Sequence, residues 1–151
     1  MRAHLKNNIG SVSTATMRSE DLIPAFIDAL RAQKPLHRKH RALIRDIESR
    51  MGKPGYYDSE DAAYDLNESL FDALDEYAMP YMYFGAHPSD GSDYGFWLAE
   101  YFEDEFDGLK VNDISQVPRG YTGEVLHVND HGNVTLYAYS RGRGWEVWTF
   151  V

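Results

Sequence analysis

Apolar residues first fall into a regular spacing at Leu22. Leu22, Ile23, Phe26, Ile27 and Leu30 recur three and four apart, the signature of one buried helix face, and predict a first helix over about Glu20 to Gln33. Ser19 stands where an N-cap belongs, and Glu20 and Asp21 follow it in the first turn, where the helix dipole favours acids. Pro24 lies early enough to cost no intrahelical hydrogen bond, whereas Pro35 ends the pattern. A second stripe, Leu36, Leu43, Ile44, Ile47 and Met51, predicts a helix that closes near Met51 at Gly52. Arg38, Lys39, Arg41, Arg45 and Arg50 surround that stripe.

The third pattern is the clearest. Ser59 is a second N-cap, followed by Glu60 and Asp61. Steps of 100° per residue place Ala63, Leu66, Leu70, Ala73, Leu74 and Tyr77 within about 100° of arc. Asp61, Asp65, Glu68, Asp72, Asp75 and Glu76 fall on the opposite side, so the helix is expected to lie on the domain with this line of carboxylates outward. Pro80 stops it.

Beyond Pro80 the period changes from 3.6 to 2. YMYFGA and DYGFWL read as aromatic strands around the turn HPSDGS, and LAEYFEDEFDG as a brief helix closed by Gly108. GEVLHVND, GNVTLYAYS and GWEVWTFV read as three strands separated by the turns NDHGN and SRGRG, which makes a meander. In the last strand, alternation puts Trp145, Val147, Thr149 and Val151 on one face and Glu146, Trp148 and Phe150 on the other. Helices first and strands second imply an α+β fold, with three N-terminal helices packed on one C-terminal antiparallel sheet. Residues 1–17 are polar and without period, and are expected to form a flexible leader before a single domain over 18–151.

Composition narrows the function classes. Without cysteine there are no disulfides, thiolate metal sites or cysteine nucleophiles. No apolar run reaches the roughly 20 residues of a membrane span, and the first seventeen residues lack the apolar core of a secretion signal, so the cytoplasm is the expected location. The net charge of −9 is unevenly spread: residues 1–53 hold eleven Lys or Arg against five acids, residues 54–107 hold none against fifteen, and residues 108–151 hold four against four. An ordinary soluble face mixes signs, so the base-free middle points to a partner.

Few residues suggest catalysis. His87, Asp90 and Asp93, with Ser89 and Ser92, crowd one turn between aromatic strands that would wall a pocket. They lack both the alternating acids of a calcium loop and the elbow of a serine hydrolase, and Pro, Ser, Asp and Gly are also the residues that build turns. His127 and His131 span a strand end and its turn, where convergence on a metal is not built in, so no metal or other cofactor is expected. Arg141 and Arg143, near Trp145 and Trp148, are too few to hold a polyanion against the net charge, and no direct nucleic-acid contact is expected. A hydrolase or ligand-binding domain using His87, Asp90, Asp93 and His127 is the enzymatic alternative. A structural protein that oligomerises through its aromatic strands is another.

The line from Asp61 to Glu76 spans about 22 Å at 1.5 Å per residue, a charge every 4 Å or so, comparable with the 3.4 Å phosphate spacing of a DNA strand. Glu100, Glu103, Asp104, Glu105 and Asp107 are expected to extend it. The phrases RSEDLIPAFIDAL, FGAHPSDGSDYGFW and GEVLHVNDHGNVTLYAYSRGRGWEVW resemble a group of small uncharacterised bacterial proteins, often carried by phages or plasmids. The resemblance implies an accessory protein of a mobile element and transfers no catalytic residue. Proteins of that origin include small acidic inhibitors that imitate DNA, which this chain is similar to in charge, although its first third is basic. The expectation is a non-enzymatic protein that presents its carboxylate-lined helix to a basic protein partner.

Overall fold

The computed structural model describes residues 8–150 and divides after Ala99 into two compact units. Both helix and sheet are present, as the pattern predicts, but the strands form two sheets and not one. Periodicity identifies strands one at a time and is silent on which of them pair.

In the first unit, β1 (Gly10–Ser13) precedes α1 (Ser19–Arg31) and α2 (Arg38–Met51). A continuous rod follows, made of α3 (Glu60–Tyr64), a π-helical turn (Asp65–Leu70) and α4 (Phe71–Asp75), and then β2 (Met82–His87) and β3 (Asp90–Leu98). The sheet has the antiparallel order β1-β3-β2. The leader expected over residues 1–17 is therefore replaced at Gly10–Ser13 by an edge strand, while residues 1–7 lie outside the described residues. Four residues, Gly-Ser-Val-Ser, are too few to show a period by which to be found. The strand seats only because Gly95 faces it: a Cβ there would lie 2.1 Å from the Gly10 carbonyl oxygen.

Every residue of the predicted α1 stripe is buried, and Pro24 lies inside the helix. Phe26 makes edge-to-face contacts with Phe71 at 5.4 Å and Phe84 at 5.1 Å, which fastens α1 to both the rod and the sheet. Ser19 does not cap α1: it is the first helical residue, Arg18 occupies the cap position, and the Thr16 hydroxyl donates to Asp21 instead. Ser59 does cap α3, its hydroxyl accepting from the Ala62 amide. In α2, Ile44 and Ile47 are buried as predicted, and His40 is buried with them.

The second unit holds α5 (Phe102–Glu105), β4 (Leu109–Val111), β5 (Gly123–Val128), β6 (Val134–Ser140) and β7 (Arg143–Phe150). The meander β5-β6-β7 is the one predicted, and β4 adds a short parallel strand against β5. The β6–β7 turn has positive φ at both Arg141 and Gly142, the type I′ geometry that matches strand twist. A register shift in β7 overturns the expected alternation: Trp148 pairs with Leu136 and Trp145 with Ala138, so both tryptophans share a face. Trp148 is buried against Phe102, while Trp145 stays exposed.

Candidate interaction face

The rod from Glu60 to Asp75 changes phase in its middle, and this decides which of its carboxylates are free. A π turn takes more residues per revolution than an α turn, so it rotates one end of a helix relative to the other. Ala62 and not Ala63 is buried, and Asp65 turns inward to join Leu66, Leu70, Ala73, Leu74 and Tyr77. Asp65 is only 4% exposed.

A buried carboxylate needs partners, and α2 supplies one. Arg50 Nη2 lies 2.7 Å from Asp65 Oδ1 and Arg50 Nε lies 3.0 Å from Oδ2, a two-pronged fork. The Tyr56 hydroxyl donates to the same Oδ2 at 2.7 Å, and Arg50 also reaches Asp46 at 2.8 Å. The two acids hold the guanidinium firmly protonated by hydrogen bonding, and burial together with the bond to Asp65 pushes the Tyr56 phenol well above its ordinary range. Asp65 thus leaves the predicted acidic face.

Two more carboxylates are engaged within the unit. Asp75 Oδ1 accepts the Phe84 amide at 2.9 Å and so holds the start of β2. Glu76 lies 2.8 Å from Lys39 Nζ and 3.4 Å from His40 Nε2, and the Lys39 hydrogen bond lowers its carboxyl below the usual range. Asp61, Glu68 and Asp72 remain exposed, with no ion pair among the described residues. Tyr64, 64% exposed, lies in the sequence between them. A shallow cavity of about 320 Å³ adjoins this face, lined by Leu43, Asp46, Arg50, Asp61, Tyr64 and Ser69 together with Asp65.

No family model matches the chain, and no curated protein or solved structure is significantly similar to it. The face must be interpreted from its own chemistry.

The other predicted groups are placed as follows. Glu100, Glu103 and Asp104 stand exposed in the second unit, on and before α5. His87 is half-buried edge-on to Trp97 at 4.6 Å, and its Nδ1 accepts the Ser89 amide. Asp90 accepts both the Ser92 amide and its hydroxyl, and the amide bond above all lowers its carboxyl. These are the bonds of a tight hairpin. Asp93 keeps one buried carboxylate oxygen unpaired among the described residues. His127, in the second unit, directs its Nε2 at the Asn112 carbonyl at 3.2 Å, and Asn129 organises the following turn by accepting the His131 and Asn133 amides. Among the described residues no three His, Asp or Glu side chains converge as a metal site requires. No helix among them is long and apolar enough to cross a membrane.

Tyr64 and His40 are the two residues that the sequence pattern passes over. Tyr64 is a polar-face aromatic among acids, the sort of position that anchors an interface. His40 interrupts an apolar stripe and therefore reads as a surface residue.

Proposed function

We propose that the protein is a non-enzymatic binding module, an accessory protein of a mobile element, that offers the outer face of the Glu60–Asp75 rod to a basic protein partner. The reading rests on one observation: Asp61, Glu68 and Asp72 have no ion pair among the described residues, while two α2 cations, Arg50 and Lys39, are already held by Asp65 and Glu76. Carboxylates left over after internal pairing are free to meet lysines and arginines from outside. Tyr64 adds an amphipathic anchor whose ring face accepts both apolar and cationic groups.

Loss of Asp65, Asp75 and Glu76 from the free set also changes the kind of partner. The remaining acids are seven and four residues apart, or about 10 and 6 Å along a helix at 1.5 Å per residue. That is sparser than a phosphate ladder, and it suits the i, i+4 spacing of basic side chains on a partner helix better than a groove built for DNA. The hydrolase alternative draws little support, since the His87–Asp93 hairpin uses its side chains in turn bonds.

The test uses a fluorescein-labelled amphipathic peptide with Lys and Arg at i, i+4 spacing, followed by anisotropy. The wild type should bind at low salt and release the peptide as salt rises. Reversing Asp61, Glu68 and Asp72 to Lys should abolish binding, while the charge-matched reversal of Glu103, Asp104 and Glu105 should leave most of it. Equal losses in the two variants would mean that net charge alone attracts the peptide, and the face would not be a site.

A further inference from the structure

Two hydrogen bonds and one ion-pair contact run in series through the first unit, from the α1–α2 linker to the end of α4. The Tyr77 hydroxyl oxygen lies 3.2 Å from the Pro35 carbonyl oxygen and 3.0 Å from His40 Nδ1, and it also accepts the His37 amide at 3.0 Å. His40 Nε2 lies 3.4 Å from Glu76 Oε2. His40 and Tyr77, in the middle of the series, are buried at 3% and 4% exposure, so the imidazole nitrogens and the phenol must find their partners within the series, while Pro35 and Glu76 at its two ends are exposed.

The protons in this series can be counted. Pro35 to Tyr77, Tyr77 to His40 and His40 to Glu76 each need one. A neutral imidazole carries one and the phenol carries one, so one contact must face acceptor to acceptor. If Nδ1 holds the proton and Tyr77 donates to Pro35, then the lone pair of Nε2 opposes Glu76. If Nε2 holds it and Tyr77 donates to Nδ1, the Pro35 carbonyl loses its donor. Only the imidazolium completes all three.

We propose that this series is a proton-operated latch, in which His40 takes up one proton to join Glu76, Tyr77 and the Pro35 carbonyl and so pins the linker to the end of α4. The charged groups facing the ring are Glu76, which favours the proton, and Lys39 and His37, which oppose it. Burial opposes it most, and the His40 pKa lies below the ordinary 6.5. At neutral pH the latch is one proton short, and it closes only as the medium acidifies.

The experiment is an NMR titration of the full chain in a His37→Gln background, which removes the exposed ring stacked on Tyr77 while keeping the residue 37 amide. The readouts are the His40 ring nitrogens, the residue 37 amide and the Tyr77 ring carbon that bears the hydroxyl. All three should move with one midpoint below 6.5. Tyr77→Phe should silence the amide while His40 still titrates, and Glu76→Gln should lower the midpoint by roughly 0.5 unit, the size of a partly exposed ion pair. If Tyr77→Phe does not fold, His40→Gln decides, since it should silence both the amide and the Tyr77 carbon. The latch is overturned if His40 titrates while these two stay still, if Tyr77→Phe leaves the amide response intact, or if His40→Gln leaves either response intact.

Discussion

Arg50 grips Asp65 with both prongs of its guanidinium, at 2.7 and 3.0 Å, in the part of the rod where the helical pattern sets Asp65 among outward-facing acids. The pair fastens α2 to the π turn, and it separates the acids of the rod into two kinds. Some hold the fold together, and some are left for solvent or a partner.

That separation predicts very different costs for equivalent substitutions. Asp65→Ala leaves Arg50 half-stranded and Tyr56 without an acceptor, and should lower the unfolding free energy by about 3 kcal/mol, as breaking buried pairs does. Asp61→Ala, four residues away on an exposed site, should change it by no more than about 0.5 kcal/mol. Urea unfolding of the two variants side by side measures this, and similar midpoints would show that Asp65 is not the internal partner of Arg50.

Gly95 predicts a backbone limit. A methyl group at this position would meet the Gly10 carbonyl oxygen at 2.1 Å, a contact that backbone on both sides makes hard to relieve. Gly95→Ala should therefore push β1 away from β3 and cost about 1–3 kcal/mol, the usual range for overpacking. Amide exchange at residues 10–13 should accelerate more than at β2, the other neighbour of β3. Uniform acceleration over the whole sheet would contradict a local clash.

Stability should also depend on pH through His40. Because burial lowers its folded pKa below 6.5, the unfolded chain binds the proton more tightly. The contribution of His40 to stability is therefore fully present above pH 6.5 and is lost as pH falls toward and through the folded value. Melting temperatures from pH 8 to 5 should fall less steeply for His40→Gln than for the wild type. Parallel curves would place the acid sensitivity elsewhere.

How far the sequence reveals this molecule depends on whether a regular period survives in the fold. The α1 stripe is uninterrupted, and all five of its predicted residues are buried. The rod keeps its predicted extent and its Ser59 cap, but the π turn at Asp65–Leu70 breaks the 100° step and misplaces Ala63 and Asp65. The shift in β7 does the same to a period of two and brings Trp145 to the face of Trp148. β1 and β4, of four and three residues, are too short to show a period at all. Of the candidate face, Asp61, Glu68 and Asp72 were visible as a row, whereas the pairings that remove Asp65, Asp75 and Glu76 from it depend on contacts 15, 9 and 37 residues away in sequence, beyond the reach of any local pattern.

Tyr64 offers the sharpest separation of binding from folding. Its side chain is 64% exposed, so Tyr64→Ala removes little packing and should shift the unfolding free energy by less than about 0.5 kcal/mol. If the face takes a basic partner, the ring supplies apolar area and a cation-binding surface at its centre, and its removal should weaken the Lys- and Arg-rich peptide by about tenfold or more. Tyr64→Phe keeps the ring and should retain most of that affinity, because the hydroxyl is not needed for either contribution. Anisotropy titrations of the three proteins at one salt concentration measure the effect. Equal affinity for Tyr64→Ala and wild type would reduce the face to its carboxylates, and equal losses for Ala and Phe would assign the contact to the hydroxyl.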